Sequence, residues 1–194
     1  MKVRGISVFN EKPIEVEIKE GFIENINSLP KSEQKLPYVS PGFFDIQVNG
    51  YKRSDYSLED FSEEHIRNII TNLAASGTTQ HIPTIVSSPH ERIVKNLEII
   101  SKAINTSPDI KEAIPGIHIE GPFISPEEGP RGCHDPSFIR DPDFEEFRQW
   151  QEAAEGRIVM VTIDPEREGS MDFIKKITRT GVKIAIGHTG QPPK

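Results

Sequence analysis

An alternation of strand-like and helix-like segments, running from residue 38 to the end of the chain, is the feature that most constrains the fold. The segments between the strands carry apolar residues three and four positions apart, as at Ile66, Ile69 and Leu73, which predicts amphipathic helices. Strands that alternate with helices form a parallel sheet with helical crossovers. This α/β pattern fits either the first five units of an eight-unit barrel or an open, doubly wound sheet, and composition does not separate the two. The predicted strands are 43–48, 78–86, 114–119, 157–163 and 182–187.

The first 37 residues follow a different pattern. Short runs at 2–8, 14–18 and 22–26 alternate or cluster apolar residues as strands do, and a polar stretch with two prolines, 30–37, follows them. We therefore predict two domains, a small antiparallel β-element over residues 1–37 and an α/β domain over residues 38–194.

The composition excludes several classes of protein. The 194 residues contain 23 Lys and Arg against 30 Asp and Glu, and this net charge of −7 argues against a nucleic-acid-binding surface. No run of about eighteen apolar residues occurs, so we predict no membrane span, and the N-terminal residues lack the apolar stretch of a secretory signal. Cys133 is the only cysteine, which excludes an intrachain disulfide and is typical of a reducing, cytoplasmic environment.

Polar side chains collect at the carboxyl ends of the predicted strands, where parallel α/β folds place their chemistry. Glu120 and His188 are the two that suggest a metal, because a carboxylate and an imidazole are a normal ligand pair for Zn²⁺ or Fe²⁺. Taken singly, the glutamate could be paired or solvated and the histidine merely hydrogen-bonded, and a tight site needs a third ligand. The full set at the strand ends is Gln47, Asn49, Thr84, Glu120, Asp164 and His188.

Two further features lie next to Glu120. By the two-residue period of a strand, His118 faces the same way, so it could orient the carboxylate or be an interior histidine bonded to backbone. The segment 121–137 is long for a strand-to-helix connection and offers Arg131 and His134 as donors, so it either closes over a substrate or is a solvated surface loop. Nucleophilic chemistry at Cys133 is disfavoured, because only the adjacent His134 accompanies it and adjacent side chains point apart.

Several motifs together resemble the N-acetylglucosamine-6-phosphate deacetylase family of the amidohydrolase superfamily. They occur in the family's order and spacing, and the HxEGPF motif followed by GxHDP is the most specific part. The motifs are PGFFDIQVNG at 41–50, PT at 83–84, HIEGPFIS at 118–125, GCHDP at 132–136 and GHT at 187–189.

The resemblance implies a fold and a set of site residues. The fold is a (β/α)8 TIM barrel of the amidohydrolase type, present here as about five βα units, with a small β-sandwich element at the N-terminus. One divalent metal, Zn²⁺ or Fe²⁺, is implied at Glu120 and His188. Cys133 and His134 match a pocket segment that contacts the substrate. Other amidohydrolases carry His-x-His on the first strand, where this chain has Gln47 and Asn49, which favours one metal over two. We expect those two amides and His118 to hold water or to support the metal ligands.

The implied reaction is hydrolysis of the acetamide of N-acetylglucosamine 6-phosphate to glucosamine 6-phosphate and acetate, in which a metal activates water and a carboxylate transfers the proton. The resemblance places a third metal histidine, the acid–base aspartate and the phosphate-binding residues after Lys194. We therefore expect the chain to be a truncated N-terminal portion that is inactive by itself and holds metal weakly. The resemblance also implies that an amino-sugar phosphate is the substrate bound and that the complete enzyme is a homodimer.

Three alternatives remain at this stage. The chain could belong to an amidohydrolase with a different amide substrate, or it could be a truncated, non-catalytic paralogue. An open flavodoxin-like sheet without metal is the third, and it predicts that the strand order reverses around the first strand.

Overall fold

The computed structural model describes residues 1–30 and 35–190. Part of the predicted polar stretch at 30–37 lies outside the described residues, as do the last four residues of the chain. The chain divides into two compact units, Met1–Gly42 and Phe43–Lys194.

The first unit is a single four-stranded sheet with the order β3-β2-β1-β4. Neighbours β1, β2 and β3 are antiparallel, whereas β4 runs parallel to β1. This pairing of β4 extends the unit to Gly42, past the boundary predicted at residue 37. A second sheet, which a sandwich requires, is not present among the described residues of this unit, and Ile23 and Ile26 are exposed on the sheet. The strands are β1 (Lys2–Ser7), β2 (Pro13–Lys19), β3 (Phe22–Ser28) and β4 (Tyr38–Val39).

The second unit contains all five predicted α/β strands and the helices that connect them. It begins with β5 (Phe43–Val48), the short ribbon β6 (Gly50–Tyr51) and β7 (Ser54–Asp55), α1 (Glu63–Ala75) and β8 (Thr78–Val86). It continues with α2 (His90–Thr106), α3 (Pro108–Ala113), β9 (Ile117–Glu120), a 3₁₀ turn (Pro136–Phe138) and α4 (Phe144–Ala153). The described part ends after β10 (Ile158–Ile163), α5 (Ser170–Thr178) and β11 (Lys183–Ile186).

The five long strands of this unit form one parallel sheet with the order β11-β10-β9-β8-β5. This sequential order is that of successive units of a barrel, so the barrel-type prediction is confirmed as a five-stranded partial barrel. The flavodoxin-like alternative is wrong, because no reversal around the first strand occurs. The two outer strands of the parallel sheet, β5 and β11, have no further strand beside them among the described residues. Phe43, Ile46 and Ile186 on these strands are more than half exposed.

The helices pack their apolar faces on the sheet, as their periodicity predicts. Ile66, Ile69 and Leu73 of α1 are buried in the same core cluster as Trp150 of α4. The third strand begins at Ile117, later than predicted, because residues 108–113 form the short helix α3 and a turn separates it from the strand. No helix in the described ranges is long and apolar enough to cross a membrane.

Candidate metal centre

The ends of β9 and β11 bring Glu120 and His188 into direct contact. In the sheet, β10 lies between these two strands, and Glu120 is the last residue of β9, whereas His188 follows β11 by two residues. Nε2 of His188 lies 3.2 Å from Oε1 of Glu120. His188 has a left-handed backbone, φ +53°, in the turn that follows the strand. The sheet thus places both predicted metal ligands at one point of the rim.

The protonation of the His188 ring follows from its other nitrogen. Nδ1 lies 2.9 Å from the carbonyl oxygen of Pro130, which only accepts hydrogen bonds, so Nδ1 carries the proton. In the neutral ring, Nε2 then presents a lone pair to a carboxylate oxygen of Glu120. Two acceptors facing each other repel, so a proton or a metal cation is required between them. The donor set therefore fits a divalent cation.

Glu120 is held in its ionised form by its neighbours. It is buried, and Nδ2 of Asn49 donates a hydrogen bond of 2.9 Å to its Oε2. Burial by itself raises the pKa of this carboxyl, but the hydrogen bond from Asn49, the close contact with the His188 ring, the nearby His134 ring and Gln47 outweigh it, so the pKa is lowered. Of the two amides at the end of the first strand of the unit, Gln47 is exposed and Asn49 is half-buried. Asn49 contacts the Glu120 carboxylate directly.

The loop after β9 brings a second imidazole, that of His134, close to Glu120 and His188. His134 is buried, its Nδ1 lies 2.8 Å from Oγ of Ser87, and its ring centroid is 4.6 Å from that of His188. One ligand atom from each of Glu120, His134 and His188 lies within 4.8 Å of the others. Burial, and then the neighbouring His188, lower the pKa of His134, while Glu120 partly offsets them. Cys133, predicted beside it in the pocket, is exposed.

His118 has a different role from the orienting contact that we considered. Both of its ring nitrogens contact threonine hydroxyls, Nδ1 at 3.2 Å from Thr84 and Nε2 at 2.8 Å from Thr162. The residue is fully buried, and burial lowers its pKa to about 4, so the ring is neutral at pH 7. Within the described part of the chain, it makes no hydrogen bond to Glu120 or to a backbone group. It joins β8, β9 and β10 instead.

The sequence did not reveal the two groups that contact Nδ1 of His134 and of His188. Ser87 lies just after β8, and no pattern marks it as a partner of a residue 47 positions away. Pro130 acts through its backbone carbonyl, which leaves no trace in residue identity. Arg131, one of the two donors that the sequence offers in this loop, donates through Nη1 to the carbonyl oxygen of Pro126 within the same loop.

Comparisons with known proteins identify relatives of this chain. No family model matches the chain. It is 28% identical to the N-acetylglucosamine-6-phosphate deacetylase of Bacillus subtilis over 204 residues, which cover 96% of this chain and 50% of that protein. It is 31% identical to the Mus musculus deacetylase over 156 residues, covering 78% of this chain and 37% of that protein.

Solved structures of such deacetylases have the same fold. The Mycobacterium smegmatis protein superposes with a TM-score of 0.82 at 25% identity, covering 98% of this chain and 50% of that one. A mutant of it has been solved in complex with N-acetyl-D-glucosamine-6-phosphate. The Pasteurella multocida protein, 20% identical with a TM-score of 0.80, supports the fold alone. The chain spans about half the length of the curated relatives that it matches first. In sequence and in fold, it corresponds to the N-terminal half of N-acetylglucosamine-6-phosphate deacetylases.

Proposed function

We propose that the chain provides the N-terminal half of a metal-dependent deacetylase, which hydrolyses the acetamide of N-acetylglucosamine 6-phosphate to glucosamine 6-phosphate and acetate. The observation that carries the proposal is the 3.2 Å approach of Glu120 and His188 at the rim of a parallel sheet. The similarity to deacetylases and the sugar-phosphate complex of the Mycobacterium smegmatis relative support the substrate.

Glu120 and His188 would hold one Zn²⁺ or Fe²⁺ ion, for which a carboxylate and an imidazole are suitable ligands. Such an ion, when bound, activates water and polarises the acetyl carbonyl of the substrate. Asn49 keeps the Glu120 carboxylate oriented and ionised, and the Pro130 carbonyl fixes the proton of His188 on Nδ1. The amides Gln47 and Asn49, which stand where other amidohydrolases have His-x-His, favour a single ion.

Cys133 and His134 are proposed to contact the substrate. They line a cavity of about 230 Å³ together with Ser57, Ser87 and Arg92. The hydroxyl of Ser87 orients the His134 ring, so its Nε2 can face a hydroxyl or acetyl group of a sugar. The acid–base step would require a carboxylate that the resemblance places after residue 194. A completed (β/α)8 barrel, a homodimer and a cytoplasmic location stay predictions.

The proposal can be tested by joining residues 1–190 to the C-terminal half of the Mycobacterium smegmatis deacetylase. Acetate release from N-acetylglucosamine 6-phosphate is measured for this chimera, for Glu120→Gln in it and for His65→Gln as a matched control outside the site. Circular dichroism and metal analysis confirm that each protein is folded and report its metal content.

We expect turnover that Glu120→Gln abolishes and His65→Gln retains. Faster release from another N-acetylated compound than from the sugar phosphate would favour the alternative of a different amide substrate. A folded, metal-loaded chimera without turnover would favour a non-catalytic paralogue.

A further inference from the structure

We infer that the cavity lined by Cys133 and His134 is a binding pocket for an oxyanion, a phosphate or carboxylate group, with Arg92, Ser57 and Ser88 as its donors. The inference goes beyond the proposed function, because the resemblance assigns the 6-phosphate of the substrate to residues after residue 194. It needs no metal, so it can be tested on the 194-residue chain without turnover.

Arg92 supplies the positive charge of the pocket. It lies in the first turn of α2 and lines the cavity, and its side chain is 28% exposed. Within the described part of the chain its guanidinium makes no hydrogen bond, and its ion pair is a 3.7 Å contact with Glu59, whose side chain is 88% exposed. Such a pair in water stabilises little. The N–H groups of Arg92 are therefore available to a ligand, and their planar fork suits the paired oxygens of a phosphate or carboxylate.

Ser88 brings a nearly buried hydroxyl without a partner to the same wall. The residue is 2% exposed and lines the cavity. Among residues 1–30 and 35–190 its hydroxyl has no hydrogen-bond partner, although it is still reached by solvent. Polar groups at this depth are normally hydrogen-bonded. A ligand oxygen in the cavity would provide the missing partner.

Ser57 has a hydroxyl hydrogen that is free to donate. Its Oγ accepts a hydrogen bond of 2.9 Å from the backbone N–H of Val86, and the hydroxyl donates to no group in the described ranges. Asn96, which is fully buried on α2, fixes the backbone on both sides of Ser57. Its Nδ2 donates to the carbonyl oxygens of Tyr56, at 2.9 Å, and Leu58, at 3.0 Å. The Ser57 hydroxyl is thus held at the wall of the cavity and not on a free loop.

The start of α2 adds to the positive potential of the pocket. Ser88 and Arg92 lie on either side of the N-terminus of this 17-residue helix, which has no side-chain cap. The positive end of a helix dipole favours an anion. Asp135 is the one acidic residue of the wall, but the N–H and the hydroxyl of Ser137 both donate to its Oδ1, at 2.9 and 2.7 Å. The open groups of the wall are therefore mainly donors, which is the arrangement that an oxyanion requires.

The size of the cavity allows more than a bare ion. Its volume of about 230 Å³ is that of several water molecules, at about 30 Å³ each in the liquid. The oxyanion could therefore be a free ion or an acidic substituent on the amino sugar, and the two sources are separated below.

Binding of inorganic phosphate to the 194-residue chain provides the test, with the chain stripped of metal and freed of chelator. Two-dimensional NMR follows the backbone amides around the cavity, and circular dichroism checks that each variant is folded. We expect Arg92→Gln to weaken phosphate binding by about 10-fold or more, because a hydrogen bond to a charged group is worth at least that factor. Ser88→Ala should weaken it less. The matched control, Lys95→Gln, removes the same charge from the next turn of α2 outside the cavity wall and should bind as the unaltered chain does.

Cys133 allows a second measurement that needs no variant. It is the only cysteine of the chain, is exposed and lines the cavity. Phosphate in the pocket should slow the reaction of its thiol with iodoacetamide, and half of this effect should occur at the phosphate concentration that gives half of the NMR change. Labelling that phosphate does not slow, or binding that Lys95→Gln weakens as much as Arg92→Gln does, would overturn the inference.

The source of the oxyanion is decided by comparing N-acetylglucosamine with N-acetylmuramic acid, which carries a carboxylate on a substituent at O3. Tighter binding of the acidic sugar that Arg92→Gln removes would identify a substituent of the sugar, whereas phosphate binding with no preference between the two sugars would identify a free ion. If neither phosphate nor the acidic sugar binds, the inference is wrong. The proposed function is decided separately, by acetate release from the chimera.

Discussion

Acidification should destabilise the α/β unit through His118. This ring is fully buried between Thr84 and Thr162, and burial lowers its pKa from an ordinary value of 6.5 to about 4. Unfolding returns the ring to water, where it binds a proton more readily. The contribution of the neutral His118 ring to the stability of the folded unit is therefore complete above about pH 6.5 and is lost as the pH falls toward 4.

The size of the effect follows from the two pKa values of His118. A difference of 2.5 units, from 6.5 to about 4, corresponds to about 3 kcal/mol of stability in all. Between pH 7 and pH 5 the loss is about 2 kcal/mol, because most of the unfolded chain takes up the proton in that interval. His81, which is also buried with a pKa near 4, should contribute a similar loss.

The assay is urea unfolding at pH 7 and pH 5 with a chelator present, so that no metal contributes. In His118→Gln we expect the loss of unfolding free energy between the two pH values to be smaller by about 2 kcal/mol than in the unaltered chain. The matched control is His65→Gln, which removes a histidine that is only half-buried. The reasoning is refuted if His118→Gln loses as much stability on acidification as the unaltered chain.

Three further outcomes are expected. Asn49→Ala should weaken zinc binding about 10-fold or more by removing the donor to Glu120, and isothermal titration that finds unchanged affinity would contradict the role of that amide. Gly121→Ala should lower the free energy of unfolding by about 1–3 kcal/mol, because φ is +74° and an added Cβ would lie 2.3 Å from Oγ of Ser87; an unshifted urea midpoint would show that the loop accommodates it. The 194-residue chain should release no acetate from N-acetylglucosamine 6-phosphate, since the implied acid–base carboxylate is not among its residues, and measurable acetate in a coupled assay would disprove this.

Much of the fold could be predicted because its signals are local. The helix over Glu63–Ala75 follows from the spacing of Ile66, Ile69 and Leu73, and the strand over Thr78–Val86 from its β-branched residues. The short helix α3 was missed, since six residues hardly establish a period. The pairing of Tyr38–Val39 with β1 could not be predicted, because it joins residues about thirty positions apart. The domain boundary was therefore predicted at residue 37.

The sequence alone determined which residue types end the strands, and hence that a carboxylate and an imidazole were available for a metal. Only the tertiary structure decided their arrangement. The sequential strand order brings Glu120 to His188 across 68 positions, and the path of the long loop presents the Pro130 carbonyl to one ring and brings the other, His134, to Ser87. Periodicity and residue type describe neighbours along the chain, whereas these contacts depend on how distant segments pack, and a backbone carbonyl is the same for every residue.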